Sequence, residues 1–125
     1  MYRQVVFFCL LVLGFSAFAH EMTPTYPKWM PSHVDGVVTT KMEIFNKRKD
    51  VQYYEISVFD KNWKTVPFVT GYYLLRLQYL DHAKFDIYIN KRDIKKAQYI
   101  CSRSKIIGDA IAAPYISSRV CSKLK

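Results

Sequence analysis

Apolar and polar residues alternate along much of this chain. In residues 38–46 one set of alternate positions holds Val, Thr, Met, Ile and Asn, and the other holds Thr, Lys, Glu and Phe. The same period of two recurs in residues 51–60 and 83–89. Because successive side chains of a β-strand point to opposite faces, these three segments predict strands with one buried side.

Less regular segments complete the prediction. Residues 72–80, which hold three tyrosines, and residues 115–120 are two further predicted strands. Residues 66–68 form a short edge piece, and residues 20–31 carry three prolines that favour an extended edge segment. No segment has a helical period. About seven short strands separated by turn signals predict an all-β fold, a single immunoglobulin-like β-sandwich.

A tyrosine and a cysteine add a more local marker of this fold. Tyr99 lies two residues before Cys101, just after the polar corner formed by residues 91–96. This spacing resembles the tyrosine corner of immunoglobulin-type domains, in which the tyrosine hydroxyl is hydrogen-bonded back to the corner. We therefore predict that Tyr99 tethers its own corner.

The first residues read as a secretory signal peptide spanning residues 1–19. Arg3 provides the positive charge, an apolar core follows, and Ala17, Phe18 and Ala19 form an A-x-A cleavage signal. We expect the mature chain to begin at His20, the domain to span residues 20–125, and the protein to be periplasmic or secreted. The apolar run is too short for a membrane anchor, so no span is expected in the mature chain.

The cysteines fit an oxidising compartment. Cys9 belongs to the predicted signal peptide, which leaves Cys101 and Cys121 as an even pair. In an exported domain of this size such a pair predicts a disulfide. A metal pair is the less favoured alternative, because the chain has no C-x-x-C or Cys/His ligand spacing.

Positive charge is concentrated in the last third of the chain. The formal net charge is +9, and residues 91–125 hold nine basic residues against two acidic ones. This excess either keeps the domain soluble or attracts an acidic exported protein or an anionic envelope surface. Nucleic acid is not expected as a partner, because the compartment is wrong and the aromatic residues fit alternating strand faces better than a stacking platform.

Catalytic motifs are missing from the sequence. It contains no G-x-S-x-G, no H-E-x-x-H and no glycine-rich phosphate loop. We predict that the protein is not an enzyme and needs no cofactor. The alternative is a periplasmic copper-binding protein, in which the amine and imidazole of His20, with His33 or His82, hold the metal.

Three segments resemble the first domain of periplasmic pilus chaperones: residues 42–46, residues 54–60, and Pro67 with Phe68. The chain is also similar to small exported proteins of marine bacteria and their phages. Pilus chaperones lend an edge strand to a partner and hold its terminal carboxylate with basic residues. The resemblance implies an exported, non-enzymatic binding or assembly module that acts through protein–protein contacts. The partner-binding residues it favours here are Arg103, Lys105, Tyr115, Ile116 and Arg119.

Overall fold

The computed structural model describes residues 20–106 and 117–124, which form two antiparallel β-sheets packed face to face. The strands are β1 (Glu21–Thr23), β2 (Met30–Pro31), β3 (Val37–Phe45), β4 (Tyr53–Phe59), β5 (Leu74–Arg76), β6 (His82–Asn90), β7 (Tyr99–Lys105) and β8 (Arg119–Lys123). A short 3₁₀ helix at Lys91–Asp93 links β6 to β7. This is the predicted immunoglobulin-like sandwich. In the described part of the chain no helix has the length and apolar character needed to cross a membrane.

Each sheet is built around one long central pairing. In the first sheet β3 pairs with β6 on one side and with β1 and then β2 on the other. In the second sheet the order is β5-β4-β7-β8. The segment between β4 and β5 passes from one sheet to the other, since Thr65 forms a bridge with Phe59 and Val69 forms one with Tyr88 of β6.

The core consists of the residues that the alternation assigned to the inner faces. Ile44, Tyr54, Val58, Ile87 and Ile100 are all fully buried, and they come from β3, β4, β6 and β7. Apolar side chains on facing sheets exclude water from the space between them, which is the main stabilising term in such a sandwich. The predicted inner faces of residues 38–46, 51–60 and 83–89 are confirmed.

The segment from residue 72 to residue 80 differs from the prediction. Only Leu74–Arg76 forms a strand, and Tyr72 and Tyr73 are exposed. The chain then turns at Gln78–Asp81, with Leu80 at a φ of 68°, and the Leu80 amide donates to the Asn46 carbonyl. Aromatic composition suggested a long strand, but the backbone bonds of this segment go to a turn instead. The predicted last strand also differs, because β8 begins at Arg119 and residues 115 and 116 lie outside the described part.

The predicted disulfide joins Cys101 of β7 to Cys121 of β8. These residues are direct neighbours in the ladder, and their Cα atoms are 4.1 Å apart. The bond therefore lies within one sheet, whereas antibody-type domains link their two sheets. The predicted tether of the corner by Tyr99 is not formed, since no hydrogen bond joins the Tyr99 side chain to another described residue. Its ring stacks on Trp63, with centroids 4.5 Å apart and planes 5° from parallel.

Loss of the disulfide should lower stability strongly. The bond spans a sequence separation of 20 residues, and a loop of that size corresponds to about 3 kcal/mol in the chain-entropy model. We expect the double variant Cys101→Ala/Cys121→Ala to lose about that much free energy of unfolding, as measured by urea denaturation. Wild-type protein treated with a reductant is the control and should match the variant. A loss below about 1 kcal/mol in both samples would contradict the expectation.

Candidate partner-binding edge

Strand β8 is the outer strand of the second sheet, and its hydrogen-bond pattern leaves one side open. The Ser104 amide donates to the Ser118 carbonyl (2.9 Å), and the Leu124 amide donates to the Gln98 carbonyl (2.8 Å). Hydrogen-bonded and non-hydrogen-bonded pairs alternate in an antiparallel ladder. The backbone N–H and C=O groups of even-numbered β8 residues therefore point toward β7, and those of odd-numbered residues point away from it. The N–H and C=O groups of Arg119 and Cys121 therefore point away from the sheet.

One outward-facing backbone amide of this edge already has a hydrogen-bond partner in the fold. The Lys123 amide donates to the carbonyl of Thr25, 3.0 Å away, so the N-terminal segment covers the end of β8. No other strand within residues 20–106 or 117–124 pairs with the outer side of β8. The open edge in the described part of the chain is thus centred on Arg119 and Cys121.

Three of the predicted partner-binding residues lie together beside this edge. Arg103 faces Arg119 directly across the β7–β8 ladder, and Lys105 follows on the same face of β7. Arg103 Nε donates to Ser117 Oγ (3.3 Å), while Lys105 forms an ion pair with Glu55 (2.5 Å). The other two predicted residues, Tyr115 and Ile116, lie outside the described residues.

Trp63 is an exposed aromatic residue that the strand pattern of the sequence does not single out. The Asp60 carboxylate accepts hydrogen bonds from the amides of Asn62 (2.8 Å) and Lys64 (3.0 Å), and Trp63 between them has a φ of 62°. The half-exposed indole lies against Tyr99, and the Arg119 guanidinium is 5.9 Å from its centroid. The sequence signal for these contacts of Trp63 was a large aromatic residue at the tip of a turn.

A buried polar network lies at the other end of the β4–β7 ladder, where Tyr54 is paired with Ser104. Asn46 is fully buried, and its Nδ2 donates to the carbonyls of Val51 (2.8 Å) and Leu77 (2.9 Å). Its Oδ1 accepts from the Tyr54 hydroxyl and from the Arg48 amide. An amide buried in a core is costly unless its donors and acceptors are paired, and here they are. Asn46 therefore fixes the β3–β4 connection against the segment that follows β5.

His20 extends this network toward β7 and β8. Its side chain is only 2% exposed, its Nε2 lies 2.7 Å from Ser102 Oγ and 3.2 Å from the Ser102 carbonyl, and its Nδ1 lies 3.2 Å from Ser118 Oγ. Since a carbonyl only accepts, we assign the proton to Nε2 and an accepting role to Nδ1. The ring also packs against Tyr54, with centroids 4.5 Å apart.

The environment of His20 favours its neutral form. The pKa of His20 is lowered from 6.5 to about 4, mainly by burial; the hydrogen bond to the Ser102 carbonyl opposes this shift, and the nearby positive charge of Arg48 adds to it. Arg48 also reaches Ser104 Oγ (3.4 Å) and Ser118 Oγ (3.5 Å) and pairs with Asp50, whose pKa it lowers through that hydrogen bond. Ser118 is thus held by both His20 and Arg48, and Ser104 is held by Arg48.

The three histidines of the copper alternative lie apart in the fold. His20 points between the sheets, His33 is exposed in the turn after β2, and His82 stacks on Phe45 with its Nδ1 3.1 Å from Glu43. No group of three or more His, Cys, Asp or Glu side chains among the described residues could hold a metal ion. A brace at His20 would require its ring to leave Ser102 and Ser118. The copper hypothesis stays a prediction.

Stability should depend on pH through His20. Unfolded His20 takes up a proton near pH 6.5, whereas folded His20 does so only near pH 4. The contribution is therefore complete above pH 6.5 and is lost as the pH falls from 6.5 to 4, by at most about 3 kcal/mol. We expect wild type to lose more free energy of unfolding over this range than His20→Gln, in denaturant titrations at a series of pH values. The variant keeps every other titrating group, so parallel curves would contradict the assignment.

Comparison with known proteins locates the fold. No protein-family model and no curated protein matches the sequence. Among solved structures, the E. coli chaperone DraB superposes with a TM-score of 0.63 and 18% sequence identity, over 86% of this chain and 54% of DraB. The chain thus spans about half the length of DraB. The likeness establishes the fold, and it confirms the predicted resemblance to the immunoglobulin-like domain of pilus chaperones. The predicted similarity to small exported proteins of marine bacteria and phages is not supported by these comparisons.

Proposed function

We propose that this protein is an exported, non-enzymatic module that binds a partner protein by strand addition along the open edge of β8. The observation that carries the proposal is the pair of outward-facing backbone amides at Arg119 and Cys121. An extended partner segment that lies beside β8 would pair with these groups and continue the second sheet.

The disulfide supports this role for β8. Cys121 is bonded to Cys101, so β8 cannot peel away from β7 when a partner strand pairs with its other side. An edge strand fixed in this way offers a preorganised template, which reduces the conformational entropy lost on binding.

Backbone pairing alone gives only weak binding. The two residues offer two donors and two acceptors, and each hydrogen bond contributes a net of about 1 kcal/mol. About 4 kcal/mol corresponds to a dissociation constant near 1 mM. Side chains beside the edge must therefore supply most of the affinity, and we assign that role to Arg103, Lys105 and Arg119. Tyr115 and Ile116, which lie outside the described residues, are proposed for the same role from the sequence alone.

Three further observations support the class and the compartment. DraB is a chaperone, and the likeness of fold favours a binding or assembly role. A disulfide and a predicted signal peptide are typical of periplasmic or secreted proteins. The protein partner that we propose would then be another exported protein.

A non-enzymatic role fits the burial of the shorter of the two contacts between His20 and a serine hydroxyl. His20 Nε2 and Ser102 Oγ are at the distance of a nucleophile and its base, 2.7 Å. However, His20 is 2% exposed and Ser102 is 0% exposed, so a substrate would have to open the sandwich to reach the hydroxyl. The pair is better explained as a buried structural hydrogen bond.

Proline substitution at the edge tests the proposal. The Arg119 amide points away from β7, so Arg119→Pro removes an outward donor without breaking the ladder, as edge strands tolerate. We expect this variant to keep its thermal stability to within a few degrees and to lose the partners that wild type captures from the envelope fraction of producing cells. Arg119→Gln, which removes the charge and keeps the N–H, is the matched control and should lose less partner binding than the proline variant.

Equal losses in the two variants would assign partner binding to the side chain and contradict strand addition. Retention of every specific partner by the proline variant would contradict it as well. Protection of the Arg119 and Cys121 amides from hydrogen exchange, measured on the complex, gives a second readout that is independent of the substitutions.

A further inference from the structure

The outer faces of the two sheets differ sharply in charge. On the first sheet Lys41 faces Asp86 and Lys84 faces Glu43, so each cation has an acidic cross-strand neighbour. On the second sheet the outward positions carry five cations and one acidic residue: Arg76, Arg103, Lys105, Arg119, Lys123 and Glu55. We call this second surface the basic face. The register thus gathers on one face a charge excess that the sequence spreads over several segments.

Most cations of the basic face are not neutralised within the protein. Glu55 pairs with Lys105, and Arg76, Arg103, Arg119 and Lys123 form no salt bridge to any described residue. Arg103 and Arg119 are directly opposed at a non-hydrogen-bonded position, where Cα atoms approach to about 4.5 Å. Like charges in this arrangement destabilise a sheet. An arrangement of like charges that costs stability, with no acidic partner among the described residues, indicates a ligand of opposite charge.

Aromatic residues fix one of these cations and share its surface. The Arg119 guanidinium lies over the rings of Phe59 (5.4 Å) and Trp63 (5.9 Å), which orients its donors without an acidic partner. Trp63 is 50% exposed, and at the opposite rim Leu74 is exposed beside Arg76. Tryptophan flanked by Arg and Lys on an open face is the composition found where proteins rest on lipid headgroups.

We propose that the basic face docks the protein on an anionic phospholipid surface. Four cations that have no acidic partner among the described residues can contact many phosphates at once from the face of a four-stranded sheet, and the half-exposed indole lies among them. The open edge of β8 lies at the rim of this face, so a docked molecule keeps that edge accessible. The inference is independent of the strand-addition proposal, and either one can fail alone.

Vesicle binding of the mature chain, residues 20–125, tests the proposal. We expect the protein to sediment with vesicles made of equal parts phosphatidylglycerol and phosphatidylcholine, not to sediment with phosphatidylcholine alone, and to dissociate as salt is raised. Each cation contributes about a fivefold change in partition coefficient, so Arg103→Gln/Arg119→Gln should weaken binding about 25-fold. The control Lys41→Gln/Lys84→Gln removes the same charge from the other sheet and should change binding less than about threefold.

Trp63 reports which face touches the lipid. The chain has two tryptophans, so in a Trp29→Phe background the fluorescence comes from Trp63 alone. Brominated phosphatidylglycerol should quench the Trp63 fluorescence of the Trp29→Phe protein, and should quench it much less when Arg103→Gln/Arg119→Gln is added. Equal weakening by the two charge variants, or binding without quenching, would overturn the proposal. Binding to poly-glutamate but not to vesicles would also overturn it and would assign the basic face to an acidic polypeptide.

Discussion

The register of β8 on β7 is the constraint on which the surfaces of this protein depend. Opposing Cys101 to Cys121 puts the cysteines at a non-hydrogen-bonded position, where side chains come closest and a disulfide fits without displacing ladder bonds. The same register opposes Arg103 to Arg119 and turns the amides of Arg119 and Cys121 outward. A shift by one residue would bury the arginines and expose Val120 and Ser122, because side chains alternate between faces.

The sequence was sufficient to predict the strands that have one solvent-exposed face and one buried face. Residues 38–46 and 83–89 could be assigned because each alternate side chain meets the same environment along the whole strand. The cysteine pairing followed from counting alone. Residues 72–80 could not be assigned from composition, since their aromatic side chains are exposed and their backbone groups bond to a turn. The prediction that Tyr99 tethers its corner was wrong for a similar reason. The Tyr99 ring stacks on Trp63, a contact that the spacing between Tyr99 and Cys101 does not predict.

The polar network was beyond the sequence because its members are far apart in the chain. His20 meets Ser102 and Ser118 across separations of 82 and 98 residues, and Asn46 reaches Leu77 across 31. A lone histidine or asparagine carries no periodic signal. What the sequence does contain is a polar residue, Asn46, at the end of an inward-facing series, where an apolar residue would be expected. The structure explains that position, since the Asn46 amide bonds to Val51 before β4 and to Leu77 after β5, two segments that are not joined there by strand pairing.

Long-range contacts of this kind also influence how the chain folds. His20 stands just before the first strand, yet its contacts lie on β7 and just before β8, near the other end of the chain. Domains dominated by contacts between distant residues fold slowly, because each contact requires closure of a long loop. A chain that emerges from its N-terminus cannot complete the environment of His20 until Ser118 has appeared. The native sandwich is therefore assembled only after nearly the whole sequence is present.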